Sequence, residues 1–112
     1  MHTEGDELKQ TELVTDSMFN IMATLTQPNH GYGIMNLIEE KTNGEIVIGP
    51  ASMYTIIKKL LKQEWIYLYD QSDSRRKSYL LTQKGKNVLA ENLKVRQLIM
   101  QLAEKGLEES EE

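Results

Sequence analysis

Apolar residues recur along this chain with two different periods. Val14, Met18, Ile21, Met22 and Leu25 fall four, three, one and three apart, the stripe of an amphipathic helix over roughly 11–27. Pro28 stops that helix, and Asn29-His30-Gly31 turns the chain. Ile34, Leu37 and Ile38 mark a second helix over about 32–42, ended by Asn43-Gly44, which supplies a left-handed residue. The β-branched run Ile46-Val47-Ile48 predicts a short strand. Gly49-Pro50 opens a third helix reaching about Glu64, because the missing N–H of Pro has no partner at the first helical position. Met53, Ile57, Leu60 and Leu61 are expected inward, with Ile56 at the flank. Residues 65–69 alternate as a strand, Ser72-Asp73-Ser74 is a turn, and 77–81 form the returning strand. Thr82 is the expected N-cap of a last helix over 83–106.

Helix, helix, short strand, helix, hairpin and long helix make a mainly α fold with a small β-hairpin, the winged helix-turn-helix plan followed by one extra helix. The expected divisions are a disordered leader over 1–10, a winged helix-turn-helix domain over 11–82, a C-terminal helix over 83–106 and a disordered acidic tail over 107–112. A chain of 112 residues, 39% hydrophobic and 27% charged, supports one core and not two. The absence of Cys excludes a disulfide scaffold, a thiolate nucleophile and any sulfur-based zinc site. With no apolar run long enough to span a bilayer and no secretory signal pattern, a cytoplasmic protein without a membrane partner is expected.

Charge changes the picture more than composition does. The formal net charge of −4 hides a sorting along the chain. Seven acidic residues stand against one basic up to Glu40, eleven basic against five acidic from Lys41 to Met100, and five acidic against one basic thereafter. A basic working surface flanked by acidic ends follows. On the third helix Ser52, Thr55, Lys59 and Lys62 fall three, four and three apart on the outer face, with Lys58 just off the stripe. Short hydroxyls near the helix start suit base edges or phosphates, and the lysines suit phosphates as point charges. That face holds no Arg or Asn, so bidentate base reading is not evident. A solvated helix would show the same pattern; the hairpin tip weighs against it. Arg75-Arg76-Lys77 places three cations at one turn, where like charges repel unless they meet an anion such as a groove phosphate.

His30-Gly31-Tyr32, Pro50-Ala51-Ser52-Met53-Tyr54 and the run Arg75-Arg76-Lys77-Ser78-Tyr79-Leu80-Leu81-Thr82-Gln83-Lys84-Gly85 together resemble the PadR family of bacterial transcriptional regulators. The match runs in register across most of the chain, and the single C-terminal helix is similar to the compact branch of that family. The resemblance implies a homodimeric repressor that binds double-stranded DNA at a pseudo-palindromic operator and releases it on binding a small aromatic effector. It adds Tyr54 to the DNA-contacting set of Ser52, Thr55, Lys58, Lys59, Lys62, Arg75, Arg76 and Lys77. For Tyr54 a core position and a phosphate contact both stay open, while Tyr32 is expected to be a core tyrosine. Four positions depart from the pattern. Glu64 stands where the family has Gly, which leaves that helix end without its usual left-handed cap. Gly33 replaces a common Glu, Thr55 a frequent Pro and Leu80 a frequent Arg.

The last helix carries Val88, Val95, Ile99 and Leu102 in one stripe and Leu89, Leu93 and Met100 beside it, more apolar surface than so small a domain covers. A homodimer seam is therefore assigned to Val14, Met18, Ile21, Met22, Val88, Val95, Ile99 and Leu102, which also gives a two-fold operator its two reading heads. An effector site is expected at Met18, Met22, Arg96 and Met100. Arg96 matches the position where the compact branch carries a stacking Trp, which favours anions, and core packing is the competing reading for the methionines. His30 is expected to cap or pack, since no His or Cys neighbours it to complete a metal site. An enzyme is not expected and no cofactor is implied: His2 lies in the leader and Glu39-Glu40 read as solvated. The alternative function is a winged-helix module that binds protein and not DNA, against which the three wing cations argue.

Overall fold

The start of the first helix is set by a side chain. In the computed structural model, which describes residues 11–71 and 76–110, Thr15 caps helix α1 (Asp16–Thr24), its hydroxyl accepting from the Met18 amide at 3.1 Å. The helix is therefore shorter than its apolar stripe, and residues 11–14 precede it. Strand β1 (Asn29–His30) follows where a plain turn was expected. His30 then caps helix α2 (Gly31–Lys41), its Nδ1 accepting from the Gly33 amide at 3.2 Å, which is the capping role expected of it. The end of α2 follows the Asn-Gly signal: Asn43 (φ 54°) and Gly44 (φ 81°) are left-handed, and the Gly44 amide reaches back to the Glu39 carbonyl at 2.8 Å.

Ile46-Val47-Ile48 forms no strand. The sheet order is β1-β3-β2, so β3 already has a neighbour on each side and offers this run no backbone partner. Ile48 packs against the core, whereas Ile46 and Val47 stay exposed. Helix α3 (Pro50–Lys62) begins with Pro, as expected, and buries Met53, Ile57 and Leu60. Ile56 packs at the flank of the core, while Leu61, expected inward, lies at the rim with 36% exposure.

Glu64 closes α3 in the left-handed conformation that the missing glycine would have supplied, with φ 61°. Its amide donates to the Leu61 carbonyl and the Trp65 amide to the Leu60 carbonyl, both at 3.0 Å. This is the Schellman arrangement built on a residue with a Cβ. Strands β2 (Ile66–Asp70) and β3 (Ser78–Leu81) pair antiparallel with Ile66 opposite Leu81 and Leu68 opposite Tyr79, and the register shifts between Leu68 and Asp70. Helix α4 (Gln83–Glu109) starts at the expected Thr82 cap but passes Gly106, so Leu107, Glu108 and Glu109 are helical where a disordered tail was expected. The expected leader, 1–10, and the last two residues lie outside the described residues. Among the described residues no helix is long and apolar enough to cross a membrane.

The core gathers Ile21, Met22 and Leu25 of the α1 region, Ile34 and Ile38 of α2, Met53, Ile57 and Leu60 of α3, and Trp65, Ile66, Tyr79 and Leu81 of the wing. Ile21 and Met22, assigned by spacing to the dimer seam and in the case of Met22 to the effector site, have zero exposure. They are held inside the chain's own core, because α2 and α3 pack across that face of α1.

Helix α4 is fastened at two levels. At its start the Thr82 amide donates to the Trp65 carbonyl at 2.9 Å, and the Thr82 hydroxyl donates to the Glu64 carbonyl at 2.7 Å while accepting from the Gly85 amide at 2.9 Å. A Cβ on Gly85 would run into the Trp65 carbonyl. Further along, Asn92 is 2% exposed and fully bonded. Its Oδ1 accepts from the Val14 amide at 3.0 Å, and its Nδ2 donates to the Glu12 and Val88 carbonyls at 2.9 Å each.

Gly85→Ala should cost at least about 1–3 kcal/mol in urea denaturation, since the obstacle is backbone and cannot rotate away. Gly106→Ala, where a Cβ meets open space, should instead stabilise by up to about 1 kcal/mol through helix propensity. Equal effects at the two sites would refute the close approach of α4 to Trp65.

Candidate nucleic-acid interface

Because Met53, Ile57 and Leu60 face the core, the helical period turns Ser52, Thr55, Lys58, Lys59 and Lys62 outward, and all five are exposed. Thr55 spends its proton internally, donating to the Ala51 carbonyl at 3.0 Å, so towards a ligand it offers only acceptor lone pairs. Arg76 and Lys77 are exposed at the foot of β3; Arg75 lies outside the described residues.

Between α3 and the wing lies an open cleft of about 930 Å³. Lys58, Arg76 and Lys77 line it together with Tyr32, Tyr54 and Tyr79, so residues from three elements converge there. Ser52, Thr55, Lys59 and Lys62 do not line it and continue along the outer face of α3. At the α2 end of the cleft Gly31 lies close to α3: a Cβ there would stand 2.8 Å from both the Tyr54 hydroxyl and Met53 Cε, the free ends of two side chains.

One tyrosine departs from the role expected of it, and another takes the buried position. Tyr32, expected in the core, is 70% exposed. The buried face of α2 carries Gly31, Ile34 and Ile38, three and four apart, and Tyr32 is one step off that stripe. The buried phenol is Tyr79, at 7% exposure, a residue that sequence reasoning used only as part of a motif. Its alternation with Leu81 along β3 was the signal that places it inward. Tyr54 is 52% exposed, with its ring in the cleft wall. Burial holds the Tyr79 hydroxyl above the ordinary phenol range, and the neighbouring Tyr54 phenol raises it further.

Arg96 is committed within the chain. It pairs with Asp16 Oδ1 at 3.0 Å, donates to the Val14 carbonyl at 3.3 Å and lies 4.2 Å above the centre of the Phe19 ring. Met22 is sealed in the core, Met18 packs against that core and Met100 is 58% exposed. Asn92, which fastens the same stretch of chain to α4, has no signal in the local sequence, its two remote partners lying 78 and 80 residues away.

The model of the transcriptional regulator PadR-like family matches residues 19–91, which take in α2, α3, the wing and the first part of α4. The chain belongs to the PadR-like family of transcriptional regulators. An uncharacterised protein of Lysinibacillus sphaericus is 37% identical over 73 residues, covering 62% of this chain and 67% of that one. A transcriptional regulator from Clostridium thermocellum superposes with a TM-score of 0.69 at 23% identity, over 79% of this chain and 89% of its own. Bacillus subtilis PadR, solved in complex with operator DNA, superposes with a TM-score of 0.62 at 24% identity, over 70% of this chain and 47% of that one. These two structures share the winged-helix fold of this PadR-like chain.

Tyrosinate absorbance followed into alkaline pH should show one phenol titrating after the exposed ones. Because the folded state holds the Tyr79 proton more tightly than the unfolded chain, stability is at its full value below about pH 10 and falls as pH rises through the raised folded value. Tyr79→Phe should flatten that alkaline decline in unfolding free energy. A decline of unchanged steepness would show that Tyr79 is not the late phenol.

Proposed function

We propose that this PadR-like regulator is a homodimeric repressor that binds a pseudo-palindromic operator in double-stranded DNA through α3 and the wing. The observation that carries the reading is the convergence of Lys58, Arg76 and Lys77 on one cleft beside the exposed face of α3. Clustered cations repel one another, and a chain of net charge −4 has no bulk attraction for a polyanion, so a local anionic partner is the economical account of this cluster. Ser52 and Thr55, near the start of α3, are the candidates for base edges; Tyr54, Lys58, Lys59, Lys62, Arg75, Arg76 and Lys77 are the candidates for phosphates. Operator binding by Bacillus subtilis PadR supports the same assignment.

The outer half of α4 supports the dimer. Leu98, Ile99, Met100, Leu102 and Leu107 are between 58% and 70% exposed, an apolar surface that none of the described residues covers. A second copy of the same helix covers it and sets two reading heads on one duplex. The seam then runs through Ile99 and Leu102, with Val14, Met18, Val88 and Val95 at its base. A small aromatic or anionic effector seated beside Met18, Met100 and Arg96 would lower DNA affinity by the factor by which DNA lowers its own.

Ile99→Asp should convert a sedimenting dimer to monomer, because a charge without a partner in an apolar seam costs several kcal/mol. A dimer of unchanged stability would displace the seam from Ile99. For DNA, log K should fall linearly with log salt by about 0.9 per phosphate neutralised. Arg76→Ala should flatten that slope by roughly two, one contact from each subunit, on operator and random duplex alike. Changes at Ser52 or Thr55 should alter the ratio of specific to random binding. A slope unmoved by Arg76→Ala would take the wing out of the interface and leave a protein-binding module as the better account.

A further inference from the structure

Tyr79 carries a chemical demand that its own chain does not meet. Buried phenols normally place their O–H on a partner, because the bond to water lost on folding has to be replaced. Among the described residues the Tyr79 hydroxyl makes no hydrogen bond, although the residue as a whole is only 7% exposed. It lines the cleft that also holds Tyr54, Lys58, Arg76 and Lys77. The Tyr54 hydroxyl is at the same end, over Gly31, where the first turn of α2 begins and its N–H groups have no helical acceptor. The Tyr54 phenol is near enough to disfavour ionisation of Tyr79.

The charged residues among those described as lining this cleft are all cations, and none of the described lining residues is Asp or Glu. Neutral phenols, ammonium and guanidinium groups and a helix start all favour a ligand that only accepts hydrogen bonds and carries negative charge. Ile57, Leu61 and the Tyr32 ring add apolar wall on the scale of a sugar. The cleft is open along its length, between two elements that straddle one strand of a duplex in the winged-helix arrangement. We propose that the Tyr79 and Tyr54 hydroxyls together bind one phosphodiester of the DNA backbone, with Lys58, Arg76 and Lys77 supplying its counter-charge. The proposal rests on the DNA-binding reading and names the contact that fixes the wing and α3 on the same strand.

Uncharged donors leave a signature different from that of the cations. Tyr79→Phe removes one O–H and no charge, so affinity for operator and random duplex should fall about tenfold at every salt concentration, along a line parallel to wild type. Lys58→Gln should instead change the slope. Thermal stability separates contact from packing: Tyr79→Phe keeps the ring and deletes a bare hydroxyl, so its Tm should equal or exceed that of wild type. Tyr54→Phe, at a half-exposed position, should lose DNA affinity in the same slope-neutral way. Duplexes carrying a neutral methylphosphonate, scanned one phosphate at a time, should reveal one position per half-site where wild type and Tyr79→Phe bind alike. Wild-type binding to DNA with Tyr79→Phe within twofold of it overturns the phosphate seat and leaves the DNA reading standing. A Tm loss that tracks the binding loss, or a scan with no equalising position, overturns it as well. No binding of wild type to any duplex overturns both readings.

Discussion

The carbonyls of Glu64 and Trp65 hold four elements together. Thr82 takes both, one with its hydroxyl and one with its amide, and its hydroxyl also receives the Gly85 amide that opens α4. The end of α3, the start of β2, the end of β3 and the start of α4 therefore meet within a few backbone atoms, and Gly85 lets the last helix rest on the Trp65 carbonyl itself. Placing Glu64 in the left-handed region costs about 1–2 kcal/mol. The two bonds that close α3 and the Thr82 hydroxyl bond contribute about 1 kcal/mol each, which is enough to hold it there. The site depends on this junction directly. Helix α3 and the wing are rooted in it from opposite sides, so this junction sets how the two walls of the cleft stand to each other.

In the proposed DNA complex this cleft divides binding between two kinds of group. The cations at its rim are long, exposed side chains whose charge acts over a Debye length and tolerates a range of positions. The phenols at its base are rigid: Tyr79 is locked by the core and Tyr54 rests against Gly31. In the proposed DNA complex attraction and register thus fall to different residues, as expected of a surface that must first gather a polyanion and then hold it in one position.

Much of this was legible in the sequence because it is local. The Asn43-Gly44 stop, the Pro50 start, and the caps at His30 and Thr82 depend on residues within one turn, and each stands where the pattern put it. The misreadings share a cause. Ile46-Val47-Ile48 has strand composition but no neighbour, whereas Asn29-His30 has no strand pattern and pairs with β3 because that edge is free. Spacing showed that Ile21 and Met22 lie on an apolar face without showing what covers it, and the cover is α2 and α3 of the same chain. Tyr32 was the exception, since Gly31, Ile34 and Ile38 already define a stripe that leaves it out. Of the binding surface, the cations were readable from charge alone; the buried Tyr79 and the Asn92 clamp needed partners distant in sequence.

The Asn92 clamp also decides where α4 stops belonging to its own domain. The Arg96–Asp16 pair contributes little, because Asp16 is 88% exposed and such pairs are worth about 0–1 kcal/mol. Asn92 is buried with three bonds, and losing one partner there would strand polar groups out of reach of water. The stack of Arg96 on Phe19 extends the attachment by one more turn. Beyond Arg96 the side chains are exposed on all sides, and the apolar ones, from Leu98 to Leu107, have no cover among the described residues. From there to Glu109 the helix projects for roughly 20 Å as a rigid arm. In the proposed dimer, a second copy bound to that arm is linked to the proposed reading head through Asn92, the Thr82 junction and α3, with no loop in between. In that dimer a ligand that tilts one arm against the other must tilt the two cation-lined clefts with it.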